Sequence, residues 1–263
     1  MKRIYKDIQR AIATEKRLLA VLLDPDKMAI ELASDIIKKV NNSIVTHIFV
    51  GGSIVEKEVT HILVSEIKRF TDLPVVLFPG DVTQITNSAD AILFLSLISG
   101  RNPEYLIGKH VDAVSKLKDA NLEVIPTGYI LIENGKETAV QKVTDTRPMS
   151  RTNVQYIVNT AKAGELLGMK LIYLEAGSGA THSVNTEIIS AVKKDVNIPL
   201  IVGGGIKTKE QLNNAYNSGA NLVVIGTAFE EDESFFEKLK PPLSFGHFPK
   251  RESKRGDKKI FLE

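Results

Sequence analysis

The sequence predicts an α/β fold of the (β/α)8 TIM-barrel type, and three observations carry that expectation. Short β-branched runs alternate with longer amphipathic stretches along the chain, the pattern of a parallel sheet wrapped by helices. Several runs are apolar on both faces (AVLL, VVLF, AILFL, LVVI), as strands buried between a barrel interior and a helix layer must be. Eight such runs fit within 263 residues, close to the roughly 250 residues of one closed barrel. An open doubly wound sheet remains the competing arrangement.

Taken in order, a charged amphipathic helix over MKRIYKDIQRAIATEKR precedes strands at 18–24, 46–50, 74–79, 91–96, 122–126, 170–175, 198–202 and 221–225. Helices are expected near 27–40, 56–70, 103–119, 151–167, 186–195, 207–218 and 228–239. Only residues 81–90 separate strands three and four, so one helix must be very short or missing. After strand five, Tyr129–Val143 carries Asn134-Gly135 between two strand-like arms, which predicts a hairpin on the mouth side of the barrel, either a lid or a passive surface feature. Residues 1–240 then form one barrel domain, and 241–263 a solvated, partly disordered tail.

Composition narrows the function classes. No apolar run approaches the ~20 residues that span a bilayer, and the charged N-terminal run has neither the apolar stretch nor the cleavage site of a secretory leader. A cytoplasmic protein is expected. The absence of cysteine excludes disulfides, thiolate chemistry and Cys-ligated zinc. Net charge is +2, but from Lys240 onward seven Lys/Arg face three acids, which leaves a body of about −2. That near-neutral body without tryptophan gives no case for nucleic-acid binding. The basic tail suits at most weak contact with an anionic membrane surface.

In a barrel of this kind the chemistry sits at the C-terminal ends of the strands. Those positions are Asp24, Gly51-Gly52-Ser53, Pro79-Gly80, Ser96, the segment Glu175–Gly179, Gly203–Gly205 and Gly226-Thr227. Strand seven ends in IVGGGI and strand eight in VIGTAF. Glycines let backbone N–H groups approach an anion closely, and a following helix N-terminus adds partial positive charge, so the pair predicts a phosphate site. Glu175 closes strand six beside a glycine–serine loop and should point toward the mouth. Asp24 ends strand one in LLDPDK as the candidate functional acid, with Asp26 expected to cap the next helix. Ser53 offers a hydroxyl to a hard cation such as Mg²⁺. Among five histidines, His182 is the one placed near this end, whereas His47 reads as a core residue. The acidic run Glu230–Glu233 reads as a solvated helix start.

Together these residues resemble the geranylgeranylglyceryl phosphate synthase family and its heptaprenyl relatives, and within it the second of two sequence groups. The motifs are LLDPDK, VGGS, LFPG, SLISGRNPEYLIG, YLEAGSGA, IVGGGI and VIGTAFE, in that order between Leu18 and Glu230. The resemblance implies a prenyltransferase that joins the C3 hydroxyl of sn-glycerol 1-phosphate to a polyprenyl diphosphate, releasing diphosphate. It implies Mg²⁺ held by Asp24 and Ser53, and beside the acceptor the Glu175 carboxylate can take the hydroxyl proton as the catalytic base. Glycerol 1-phosphate would be bound by Tyr173, Leu174, Glu175, Ala176, Gly177, Ser178, Gly179, Gly204, Gly205, Gly226 and Thr227. It implies a homo-oligomer as well. Leu77, Phe78 and the loops after strands four and five are candidates for the prenyl groove. One departure stands out: the other sequence group carries a lysine where this chain has Leu22, and Arg101 and Arg147 are candidate substitutes for its charge. The rival readings are another phosphate-binding barrel enzyme, such as a phosphosugar isomerase or aldolase, and a catalytically inactive scaffold. No lysine ends a strand, which disfavours Schiff-base chemistry.

Overall fold

The computed structural model describes residues 3–52, 55, 58–226 and 239. Eight parallel strands close into a barrel in chain order: β1 Leu18–Leu23, β2 His47–Val50, β3 Val75–Leu77, β4 Ala91–Leu97, β5 Glu123–Leu131, β6 Leu171–Glu175, β7 Leu200–Gly203 and β8 Leu222–Ile225. The last strand pairs with the first through Leu18↔Leu222 to Val21↔Ile225, so no strand edge is left exposed. The open doubly wound alternative is thereby excluded. The helices are α1 Ile4–Ala13, α2 Ala33–Asn41, α3 Val59–Ile67, α4 Lys109–Leu117, α5 Ala139–Thr144, α6 Val154–Leu166, α7 Thr186–Asp195 and α8 Lys209–Asn217. The helix expected at 228–239 (apart from Leu239), the tail from 241, Ser53 and Thr227 lie outside the described residues.

The period of two along each strand divides the apolar residues into two cores. Leu19, Val21 and Leu23 of β1 face the helix layer, as do Ile172 and Leu174 of β6. Leu18, Ala20 and Leu22, with Leu171 and Tyr173, face the barrel interior. Ile4 and Ile8 of α1 are buried in that interior cluster. The N-terminal helix therefore plugs the bottom of the barrel and leaves the C-terminal end as its opening. His47 is buried within β2, as expected of a core residue, and burial holds its pKa down at about 4.

Between β3 and β4 a 3₁₀ turn, Val82–Gln84, replaces the missing helix. The buried Gln84 amide donates to the Gly52 carbonyl (2.8 Å) and accepts from the Gly52 N–H (3.3 Å). The shortened connection thus anchors the loop after β2.

Two local expectations are corrected. Asp26 does not cap the first outer helix: α2 begins at Ala33 after a 3₁₀ turn over Ile30–Leu32. The Asp24 carbonyl closes a tight turn by accepting from the N–H groups of Lys27 and Met28, which delays the helix. The Asn134-Gly135 hairpin does not form either. Its first arm is the end of β5, paired in parallel to β6 as far as Leu131↔Glu175. Its second arm is helix α5, capped where the Thr138 side chain accepts from the Gln141 N–H. Thr138-x-x-Gln141 has the spacing of a helix-capping box, a signal that outweighed the turn dipeptide.

Candidate active site

Because α1 closes the bottom, the strand ends enclose a cavity of about 390 Å³ at the top, within the range of small-molecule sites. Its wall includes Leu22 and Asp24 from the β1 end, Gly51, Gly52 and Phe78, Tyr173 and Glu175 from β6, Ser178 and Gly179, Gly204 and Gly205 after β7, and Gly226 after β8. Most of the separately predicted positions therefore converge on one space. Leu174 and Ala176 pack outward into the helix-side core, so only their backbone is available to a ligand.

Glu175, the last residue of β6, is buried, and its carboxylate accepts a hydrogen bond from the Gly177 N–H. Burial pushes its pKa up to about 7, against the opposing pull of that N–H and of the Tyr173 hydroxyl. A carboxylate divided between its two forms near neutral pH suits proton transfer. Tyr173 is wholly buried, with its ring 5.4 Å from Phe78 and 5.3 Å from Tyr129 between centroids. Burial, and then the nearby Glu175 charge, hold its hydroxyl far above the usual tyrosine range, so it stays a donor. That hydroxyl lies beside Glu175 but completes no well-directed hydrogen bond among the described residues. A buried, incompletely satisfied hydroxyl on a cavity wall is a polar group available to a ligand.

The glycines differ in why they must be glycine. Gly204 has φ +82°, and a side chain there would collide with Glu175 and with the backbone nitrogens of Ala176 and Gly177. At Gly226 the nearest atoms an added Cβ would meet among the described residues belong to Leu22, at ordinary contact distances from 3.7 Å. Among the described residues, packing therefore does not demand glycine at 226.

At the β1 end, the Asp24 carboxylate accepts from the Asp26 N–H (3.2 Å) and lies 3.4 Å from the Lys27 ammonium. Among the described residues no cluster of three or more His, Cys, Asp or Glu could hold a metal. Mg²⁺ with a phosphorylated substrate commonly needs only one or two carboxylates, the rest of its shell being phosphate oxygens and waters. A single partly exposed acid on the wall of this cavity fits that mode.

An apolar groove adjoins the cavity and shares Gly52, Phe78, Tyr129 and Val140 with it. Its other walls include Pro79, Val82, Ile85, Leu95, Leu97, Tyr105, Ala113 and Val143. A 2.6 Å ion pair between Asp81 and Lys109 ties the β3–β4 connection to α4 across this groove. Helix α5, from the segment expected to be a hairpin, lies between the two spaces, with Val140 lining both.

Neither arginine proposed to replace the strand-one lysine lines the cavity. Arg101 is bound to the Gly100 carbonyl and the Tyr156 hydroxyl. His182 packs against Gly135 and is likewise absent from the wall. The cations at the cavity are ones the sequence reading passed over: Lys27 and Lys207 line it, and Lys136 stands against Gly179. Lys27, three residues after Asp24 within LLDPDK, was the one with a visible signal.

Comparison with known proteins agrees with the barrel fold. The model of the PcrB family matches residues 11–241. A geranylgeranylglyceryl phosphate synthase of Flavobacterium johnsoniae is 56% identical over 234 residues, covering 89% of this chain and 96% of the relative. One from Zunongwangia profunda is 54% identical, covering 89% and 99%. Among solved structures, (S)-3-O-geranylgeranylglyceryl phosphate synthase from Thermoplasma acidophilum, in complex with its substrate sn-glycerol-1-phosphate, superimposes with a TM-score of 0.85 at 31% identity. That match covers 92% of this chain and 97% of the other.

Proposed function

From the premise that this chain belongs to the PcrB family, as a prenyltransferase of the geranylgeranylglyceryl phosphate synthase kind, we propose that it alkylates sn-glycerol 1-phosphate with geranylgeranyl diphosphate. In the reaction the C3 hydroxyl oxygen of the glycerol bonds to the first prenyl carbon. The bond from that carbon to the diphosphate oxygen breaks, diphosphate leaves with the electron pair, and the hydroxyl proton goes to Glu175.

The observation that carries this reading is the buried Glu175 carboxylate, with its pKa near 7, on the wall of a cavity that holds the glycine loops and adjoins an apolar groove. The backbone at Gly179, Gly204, Gly205 and Gly226 would receive the acceptor's phosphate, since glycine permits close approach of N–H groups. The Tyr173 hydroxyl would donate to the glycerol and help turn the C3 hydroxyl toward Glu175. The groove bounded by Phe78, Tyr129 and Val140 would take the prenyl chain. Asp24 would hold Mg²⁺, which when bound offsets the charge of the departing diphosphate.

The reading also includes work as a homo-oligomer in the cytoplasm; among the described residues no helix is long and apolar enough to cross a membrane. The test is incubation with labelled sn-glycerol 1-phosphate, Mg²⁺ and farnesyl, geranylgeranyl or heptaprenyl diphosphate, with products identified by mass spectrometry. The expected product is the geranylgeranyl ether of the labelled acceptor. No labelled ether with any donor would contradict the proposal.

A further inference from the structure

We infer that Lys136, in the loop after β5, supplies the side-chain cation for the acceptor's phosphate that strand one of this chain does not provide. The inference rests on the function proposed above and adds a binding residue to the same site. On β1 the inward-facing position beside Gly226 is Leu22, an apolar residue on the cavity wall. A phosphate dianion there meets backbone N–H groups, and a nearby ammonium would add charge-assisted binding.

Local chemistry directs Lys136 to that place. Asn134 is buried, and its side chain accepts from the Lys136 N–H at 3.2 Å, closing a tight turn with Gly135 at φ +91°. The Asn134 carbonyl accepts from the His182 N–H at 3.1 Å, which fastens this turn to the loop after β6. The Thr138 side chain packs where a side chain on Gly177 would project, a second point of contact between the two loops. In that arrangement the Lys136 ammonium lies 3.1 Å from where a side chain on Gly179 would begin. Gly179 is itself on the cavity wall with Ser178, Gly204 and Gly205. The Asn134-Gly135 turn therefore carries a lysine to the rim of the glycine loops, approaching from β5 rather than β1.

The cation is on an exposed, flexible side chain, so its effect should be moderate. The test is steady-state kinetics on the full chain for wild type, Lys136→Ala, Lys136→Arg, Lys207→Ala and the double variant Lys136→Ala/Leu22→Lys, varying each substrate separately. Lys136→Ala should raise KM for sn-glycerol 1-phosphate about five- to tenfold, with kcat and the KM for the prenyl diphosphate within about twofold, as a purely local loss of one charged contact requires. Lys136→Arg should retain most of the affinity, and the double variant should recover part of it by restoring a cation from strand one. An unchanged KM for Lys136→Ala, or a loss confined to Lys207→Ala, would overturn the assignment. If the wild type itself makes no ether, the function proposal fails separately. Calorimetric titration of the same variants with inorganic phosphate then still decides whether Lys136 holds an anion here: weaker binding in Lys136→Ala supports it and equal binding overturns it.

Discussion

The Glu175 carboxylate accepts a hydrogen bond from the backbone N–H of Gly177, two residues further along the chain. This bond stabilises the ionised form, but removal from water opposes it more strongly, and the pKa settles at about 7. The same burial that prepares the group for proton transfer makes it costly for the fold.

That cost has a pH signature. Glu175 binds its proton more tightly in the folded protein (about 7) than at the usual glutamate value of 4.5. Between those values the folded state holds more protons than the unfolded one, so stability falls as pH rises through this window. Glu175→Gln removes the penalty. Denaturant unfolding should find the variant more stable than wild type at pH 8, by on the order of 3 kcal/mol, with the difference fading toward pH 4.5. A variant less stable than wild type at pH 8 would make the carboxylate a structural anchor instead.

The two glycine loops should separate binding from folding. Gly226→Ala meets no steric obstacle among the described residues, so its melting temperature should stay within a few degrees of wild type. Affinity for sn-glycerol 1-phosphate should still drop, because the added methyl would occupy space left for the ligand. Gly204→Ala, with φ +82° and a collision against Glu175, should lose stability and activity together, by about 1–3 kcal/mol in the former. Thermal melting alongside calorimetric titration distinguishes the two cases. A Gly226→Ala protein with unaltered affinity would move the phosphate away from β8.

The partial ligand set at the β1 end makes a prediction about magnesium. Asp24→Asn replaces a carboxylate with a neutral amide, a poor ligand for a hard cation. The variant should need far more Mg²⁺ for half-maximal rate and show a lower maximal rate. Its affinity for sn-glycerol 1-phosphate, measured without donor, should be nearly unchanged. Identical Mg²⁺ titration curves for variant and wild type would remove Asp24 from this role.

Much of this was legible in the sequence because barrel strands, buried on both faces, read as continuous apolar runs with their functional residues at the C-terminal ends. Glu175, Gly204, Gly205 and Gly226 could be placed at the mouth from strand position alone. Residues 129–143 were harder, since YILIENGKETAV satisfies the local rule for a hairpin. Pairing of Tyr129–Leu131 with β6 and capping of α5 by Thr138 prevailed over it. The same misreading concealed Lys136, whose position depends on the turn docking onto a loop some forty residues away. Leu174 and Ala176 show another limit: a contiguous motif marks a segment, but strand alternation decides which side chains face the cavity.

The most direct test of the account is the split between turnover and affinity in Glu175→Gln. Glutamine keeps the shape of the side chain and an oxygen for the Gly177 N–H, but it cannot take the hydroxyl proton. Loss of a general base typically lowers the rate ~10²–10⁴-fold. The account predicts a fall in kcat of that order, with the dissociation constant for sn-glycerol 1-phosphate changed by no more than a few-fold. A large loss of affinity with kcat preserved would contradict it, leaving Glu175 as a group that holds the acceptor while another takes the proton.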